Sequence, residues 1–228
     1  MKYYKLTHIG VNRDEIGISP QGCGGDVGDI QKDFMPREGI IDFDFKLPIP
    51  KLKHKAIATT LLDIGMIPFT FLVVNNNFID LVKDYKIGDF QNWPIKVHHK
   101  KEILEDYNLF LLNRGRQSKY IDFKNSEFYV GSLKDFQYVG DNIKVSDYKN
   151  FLSTKEVLKE SGLWLKCSQV IINLKEAKED MFRLYIDPVG GYYVSERLKE
   201  VMLEKGFTGM VFKEIEESVR KKRIKVIY

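Results

Sequence analysis

The stretch from Tyr192 to Phe212, YYVSERLKEVMLEKGFTGMVF, carries in one run the signals of a strand, a capped helix and a second strand. Tyr192, Tyr193 and Val194 are aromatic and β-branched residues, the types that fit a pleated, half-buried surface. The Ser195 hydroxyl can accept a backbone N–H of the next turn, so it is read as a helix N-cap, and Glu196 puts negative charge at the favourable end of the helix dipole. Leu198, Val201 and Met202 form one apolar stripe at helical spacing, which leaves Arg197, Lys199 and Glu200 for water or a partner. Gly206 stands where a left-handed residue ends a helix, and Gly209 precedes a strand that resumes around Met210. The expected order is therefore a strand through Val194, a helix from just after Ser195 to near Lys205, and a strand.

The same order of residue classes occurs earlier, in LVVNNNFIDLVKD from Leu72 to Asp84. Val74 aligns with Val194, Asn75 with Ser195, Phe78 with Leu198, Leu81 with Val201 and Val82 with Met202. This is either a duplicated strand-helix unit or the common chemistry of any strand that turns into a capped helix. Around the two units, MKYYKL at the start reads as an exposed or edge strand, and SPQGCGGDVGD (Ser19 to Asp29) as a glycine-rich loop. Ile41, Phe43 and Phe45 alternate as in a strand that the prolines at 48 and 50 end. His54 to Ile64 has helical spacing of Ile57, Ala58, Leu61 and Leu62, with Gly65 as a stop. FTFLVV is a strand, and the middle of the chain reads as the strands WPIKV, NLFLLN, KYIDF and SEFYVG. Ser153 and Glu156 form a capping-box pattern for a short helix that Gly162 ends, and WLKCSQVIINL and MFRLYI follow as strands. The sum is an α+β fold: a mixed, mostly antiparallel sheet with several short packed helices, in one domain over 1–228 or two subdomains meeting near 113–140.

Composition narrows the function classes. With 43% hydrophobic and 30% charged residues, the chain can bury a core and is neither disordered nor fibrous. The longest apolar run, MIPFTFLVV (Met66 to Val74), is far short of the roughly 20 residues that cross a bilayer, and MKYYKLTHIG lacks a signal-peptide core. A cytoplasmic location and no membrane partner are expected. The net charge of +4 is small for this length, and acidic residues interrupt nearly every basic cluster, so nucleic-acid binding is disfavoured. RKKRIK (Arg220 to Lys225) is the exception and keeps weak nucleic-acid binding as an alternative, although the acidic EIEES stands just before it and partly cancels its field.

Residues able to do chemistry do not form a recognised pattern. GCGGDVG lacks the lysine and hydroxyl residue that complete a phosphate-binding loop and matches no GxGxxG spacing. His98 and His99 are adjacent, so on a strand they point to opposite faces and do not chelate one ion. Cys167 lies within an apolar strand pattern and reads as a small core residue. Asp42 and Asp44 would share a strand face, which suits a metal or acid-base pair, but their alternation with Ile41, Phe43 and Phe45 reads as the solvent face of a half-buried strand. No cofactor, no metal and no catalytic residue is assigned. An enzyme whose site joins Cys23 or Cys167 to a distant histidine stays as an alternative, because such residues meet only in the fold.

Several stretches together resemble one family, the bacterial immunity proteins of polymorphic-toxin systems, immunity family eleven. They are MKYYKL, WPIKV, YNLFLLN, YIDFKNSEF (Tyr120 to Phe128), DMFRLYI (Asp180 to Ile186) and YVSERLKEVMLEKGFTGMVF, in order over most of the chain. The resemblance implies a protein that binds and neutralises a cognate toxin and has no catalytic centre of its own. Its motifs map onto Asp122, Ser126, Phe182, Arg183, Ser195, Gly206, Gly209 and Phe212. Most of these suit structural roles, and a buried ion pair between Asp122 and Arg183 is expected. The glycine-rich insertion near Cys23 falls outside the pattern. Because the chain is mildly positive, a nuclease blocked by acidic mimicry is not the expected toxin.

Overall fold

The computed structural model of the chain describes residues 1–8, 10, 12–35, 39–112, 117–132, 134, 137–186, 189–216 and 223–228. In chain order the elements are β1 (Tyr3–His8), α1 (Arg13–Ile16), β2 (Gly22–Asp26), β3 (Ile49–Leu52), β4 (Leu61–Leu62), β5 (Leu72–Asn75), α2 (Asn76–Lys83), β6 (Phe90–His99) and β7 (Glu102–Leu112). They continue with α3 (Gln117–Tyr120), β8 (Glu127–Ser132), β9 (Tyr138–Ile143), α4 (Tyr148–Glu160), β10 (Leu163–Asn173), β11 (Met181–Leu184), β12 (Gly191–Ser195), α5 (Glu196–Glu204), β13 (Met210–Glu214) and β14 (Arg223–Ile227). This is an α+β fold dominated by strands.

Among the described residues the strands form three sheets, ordered β11-β12-β1-β13, β14-β10-β8-β9 and β2-β3-β6-β7-β5-β4. Strand pairs are antiparallel, except β10 with β14 and the Lys51–His98 pair that joins β3 to β6. The first sheet is the middle layer. Tyr3, Phe182, Leu184 and Tyr193 point from one face into the core shared with β8 and β10. Tyr4, Leu6, Met181, Tyr192 and Val194 point from the other face into the core built with β5, β7, α2 and α5. Residues alternate between faces along a strand, so a sheet covered on both sides needs nearly continuous apolar sequence. That explains why β1, expected at an edge, lies between β12 and β13 with both tyrosines buried. The six-stranded sheet turns its second face, with Val73, Leu109 and Leu111, to a third core under the segment around Ile30 to Leu47.

The unit that begins at Tyr192 has the expected boundaries. The Ser195 side chain accepts from Leu198 N at 3.2 Å, and Leu198 and Met202 are buried while Val201 is half-buried. Gly206 adopts φ 68° and Phe207 N returns to Met202 O at 2.9 Å, a left-handed helix stop. In the earlier unit Asn75 caps α2 through Phe78 N in the same way.

Elsewhere tertiary contacts overrule local pattern. The segment His54 to Ile64 is not a helix: it runs extended into β4, because its backbone is claimed by remote partners. Gln21 Nε2 donates to Ile57 O, Tyr107 Oη donates to Thr59 O at 2.8 Å, and Leu61 N donates to Thr208 O at 3.1 Å. The expected strand around Phe43 is irregular, its Ile41 N and O both bonded to the Gln91 side-chain amide rather than to a ladder. Pro50 does not end a strand but sits within β3, opposite Gly25. The glycine-rich loop contributes β2, in which Gly25, at φ 108°, lies so close to β3 that a Cβ there would come 2.2 Å from Ile49 O. KYIDF is the short helix α3 followed by one bridge, Ile121 to Ile172. Helix α4 starts earlier than the Ser153 capping box: Asp147 is its cap, accepting from Asn150 N at 2.8 Å, and Ser153 lies inside the helix with its hydroxyl on Asn150 O. Of the basic run at the C-terminus, residues 220–222 lie outside the described residues, and the remainder joins β14. No helix among the described residues is long and apolar enough to cross a membrane.

Candidate functional site

The residues singled out in the sequence sit mainly on the middle sheet and its borders. Ser195 does two things at once. Its hydroxyl caps α5 and also donates to Asp180 Oδ1 at 2.8 Å. Asp180, just before β11, is a buried carboxylate that collects further donors: Arg197 Nε on Oδ1 at 3.2 Å, Arg197 Nη2 on Oδ2 at 2.5 Å, and Lys86 N on Oδ2 at 3.1 Å. Burial alone would raise its pKa, but the Arg197 guanidinium, the Ser195 hydroxyl and the Lys86 N–H hold it below the ordinary carboxylate range. The backbone of Asp180 is paired as well, N to Lys86 O and O from Ser195 N. One carboxylate therefore ties β11, α5 and the connection after α2 together.

Glu179, its neighbour, serves the opposite face. Tyr120 Oη and Lys178 N donate to its Oε2 and Lys119 Nζ to its Oε1, while Tyr3 Oη donates to its main-chain oxygen. Burial opposes ionisation, yet this set of donors, led by Tyr120, brings the Glu179 pKa down to about 2. Both acids are ionised clamps at neutral pH, their oxygens engaged by several donors, an arrangement suited to holding layers together rather than to moving protons.

Arg183 is 1% exposed and does not pair with Asp122. It faces the same side of the middle sheet as its ladder partner Tyr192, and Arg183 Nη1 and Tyr192 Oη both donate to Thr70 O, at 3.0 and 2.6 Å. Asp122 instead holds its own turn, accepting from Asn125 N and Nδ2. Ser126 closes that turn by donating to Asp122 O and accepting from Ile171 N, which anchors it to β10. Phe182 stacks on Tyr193 and meets the Tyr120 ring at a tilt of 38° within the core. Gly209 has φ 82°, and a Cβ there would lie 2.1 Å from Leu61 O. Phe212 is half-buried against the core shared with α2 and α5.

The candidate chemical groups do not gather. Cys167 is buried with Sγ against Glu127 O and Gln169 O, and neither cysteine is in a disulfide. Cys23 lies on β2, and its neighbour Gly24 is separated from His98 by the intervening Lys51 on β3. Two strand spacings make that backbone separation about 10 Å. Asp42 and Asp44 are exposed on the irregular segment before β3. Among the described residues no three of His, Cys, Asp and Glu converge as a metal site.

What the surface does offer is aromatic. Phe34 is 56% and Phe43 41% exposed, and their rings meet edge to face at 5.9 Å. Phe43 meets Phe45 at 6.4 Å, Phe45 meets Trp93 at 5.2 Å, and Trp93 meets Phe71 in the third core at 6.5 Å. Lys32 Nζ lies over the Phe34 ring at 5.9 Å. The outer rings are thus backed by a continuous aromatic ladder that rests on the six-stranded sheet. Phe43 and Phe45 carry a sequence signal, the alternation read above as a strand, but nothing local announces that Phe34 joins them or that the end of the ladder is exposed. Neither protein-family models nor curated proteins give a match to this chain.

Proposed function

We propose that this protein is an immunity protein that binds a cognate toxin stoichiometrically in the cytoplasm of the cell that makes both. The observation that carries this reading is the exposed, backed aromatic pair Phe34 and Phe43. Large exposed rings are unfavourable in water, and aromatic side chains held rigid by packing beneath them supply the anchors of protein interfaces. The motif residues of the resemblance support the same reading from the other side. Ser195, Arg183, Asp122 and Ser126 spend their polar groups on internal bonds, so they hold the scaffold that presents the surface.

The test is coexpression with the toxin encoded beside this gene. Cells carrying the wild-type chain survive, and the doubly substituted Phe34→Ala, Phe43→Ala chain, which keeps its core, protects poorly. Its affinity for the toxin falls by about thirtyfold, the scale of losing a 2 kcal/mol anchor. Equal killing with and without the wild-type protein sinks the immunity reading; full protection by the double variant sinks the aromatic surface.

A further inference from the structure

Acidic residues break up most basic runs along the sequence, but the fold gathers two of them. β3 and β6 pair in parallel with Lys51 beside His98, so both strands run to the same end of the six-stranded sheet. There KLKHK (Lys51 to Lys55) and HHKK (His98 to Lys101), far apart in the chain, lie side by side. Leu52 and Val97 point into the third core, so Lys51 and His98 face the other way, toward water, about 5 Å apart across the strands. Lys51, His54, Lys55, His98, Lys100 and Lys101 are exposed, and Lys53 is half-buried. Among the described residues none of these five lysines has an ion-pair partner. The neighbouring acids are on β7: Glu102 follows Lys101, Glu105 is taken by Lys96 at 3.6 Å, and Asp106 stands further from the turn.

Both turns are held in place. Lys53 N donates to Gln21 O at 2.8 Å and Ala56 N to Lys53 O at 2.9 Å, while a Cβ on Gly17 would come 1.9 Å from Lys55 O. Lys100 adopts φ 56° and is the one residue other than glycine with a positive φ among the described residues. Glycine or asparagine takes that conformation more easily. A lysine kept at a costly backbone position, beside like charges with no counter-ion, is a feature that folding stability does not explain.

We infer that this end of the six-stranded sheet binds the phosphate backbone of a nucleic-acid duplex, its five lysines meeting phosphates and His54 and His98 offering ring N–H groups. The net charge of +4 conceals the patch because it averages over opposite surfaces, whereas positive charge gathered at one place is the footprint of a phosphate binder. A phosphate backbone asks only for surface cations and donors, and these are what the two turns supply. Residues 51–55 and 98–103 include no phenylalanine, tyrosine or tryptophan. Bases therefore find no ring to stack on, which disfavours single strands and sequence reading. A turn that enters a membrane carries large apolar side chains at its tip, and a protein interface is anchored by aromatic ones. Here the tips are lysine and histidine, and the exposed Ile103 stands beside His98, behind them. The patch faces away from the third core on which the Phe34 and Phe43 ladder rests, and the proposal does not depend on the toxin-binding reading.

The experiment is fluorescence anisotropy of the full chain with a labelled DNA duplex and the RNA duplex of the same sequence, from about 50 to 200 mM salt. Amide chemical shifts locate the contact. Affinity should fall by about five-hundredfold over that range, the salt dependence of five phosphate contacts. It should be indifferent to scrambling the duplex sequence, and the shifts should fall on residues 51–55 and 98–101. The tighter of the two duplexes identifies the source of the phosphates. Replacing four exposed lysines together, Lys51→Gln, Lys55→Gln, Lys100→Gln and Lys101→Gln, should cut the salt dependence to that of about one contact. Lys221→Gln with Lys222→Gln, in the C-terminal basic run, should leave it unchanged. No duplex binding at the lowest salt, loss only in the C-terminal variant, shifts elsewhere, or binding to phosphatidylserine vesicles without binding to either duplex overturns the proposal. The shifts on the wild-type chain decide the location even if the fourfold variant does not fold.

Discussion

At the scale of single residues, Ser195 shows how much one hydroxyl can hold. A simple N-cap replaced by alanine costs about 1 kcal/mol. Here the same oxygen also donates to the buried carboxylate of Asp180, so Ser195→Ala leaves a charged acceptor short of one donor. Adding about 1–3 kcal/mol for that loss, the expected total is about 2–4 kcal/mol, read as a lower denaturation midpoint in urea. Ser195→Thr, which keeps the hydroxyl, should restore part of it. A cost no larger than that of an ordinary cap would mean that the bond to Asp180 contributes nothing. The sequence shows the cap clearly, because capping is settled within three residues. It does not show Asp180, whose partners come from Lys86, Ser195 and Arg197.

At the scale of elements, the strand-to-helix units at Leu72 and Tyr192 were fully legible, and α4 was legible in place but not in its start. Two caps compete in that region: Asp147, which accepts Asn150 N, and Ser153, which lies inside the helix. The structure therefore separates their substitutions. Asp147→Ala should destabilise by about 1 kcal/mol, whereas Ser153→Ala, in a helix interior where alanine is favoured, should be neutral or slightly stabilising. Thermal unfolding of the two variants side by side checks the assignment; a larger loss for Ser153→Ala would restore the later start. The segment at His54 to Ile64 was misleading for a different reason. Apolar spacing over a short run fits a helix or a strand, and here the choice is made by Gln21, Tyr107 and Thr208, which take its backbone groups from afar.

At the scale of the whole molecule, the layers are joined by ionised and neutral groups whose states depend on being folded, so stability should fall on acidification in two steps. Burial lowers the pKa of His8 below its ordinary 6.5, against the opposing pull of Asp63 and the Leu62 carbonyl. The unfolded chain therefore takes up a proton below 6.5 that the folded chain refuses, and stability declines as the pH drops through that value. Glu179 acts lower down. Its contribution is complete above its unfolded value of 4.5 and is lost as the pH falls toward about 2. Asp180, shifted in the same direction, adds to the second step. Unfolding midpoints measured from pH 8 to pH 2 should show both declines, and Glu179→Gln should flatten the lower one; an unchanged acid limb in that variant would remove Glu179 as its cause. By itself, the sequence determined the α+β class, most strands, the capped helices α2 and α5 and the glycine stop at Gly206. These depend on period, caps and backbone freedom, all of which act within a few residues. Only the tertiary structure decided that β1 lies at the centre, that Arg183 reaches Thr70 rather than Asp122, and that Phe34 caps an aromatic ladder. Each of those depends on which faces meet, and burial and hydrogen bonding between distant segments outweigh local preference wherever the two conflict.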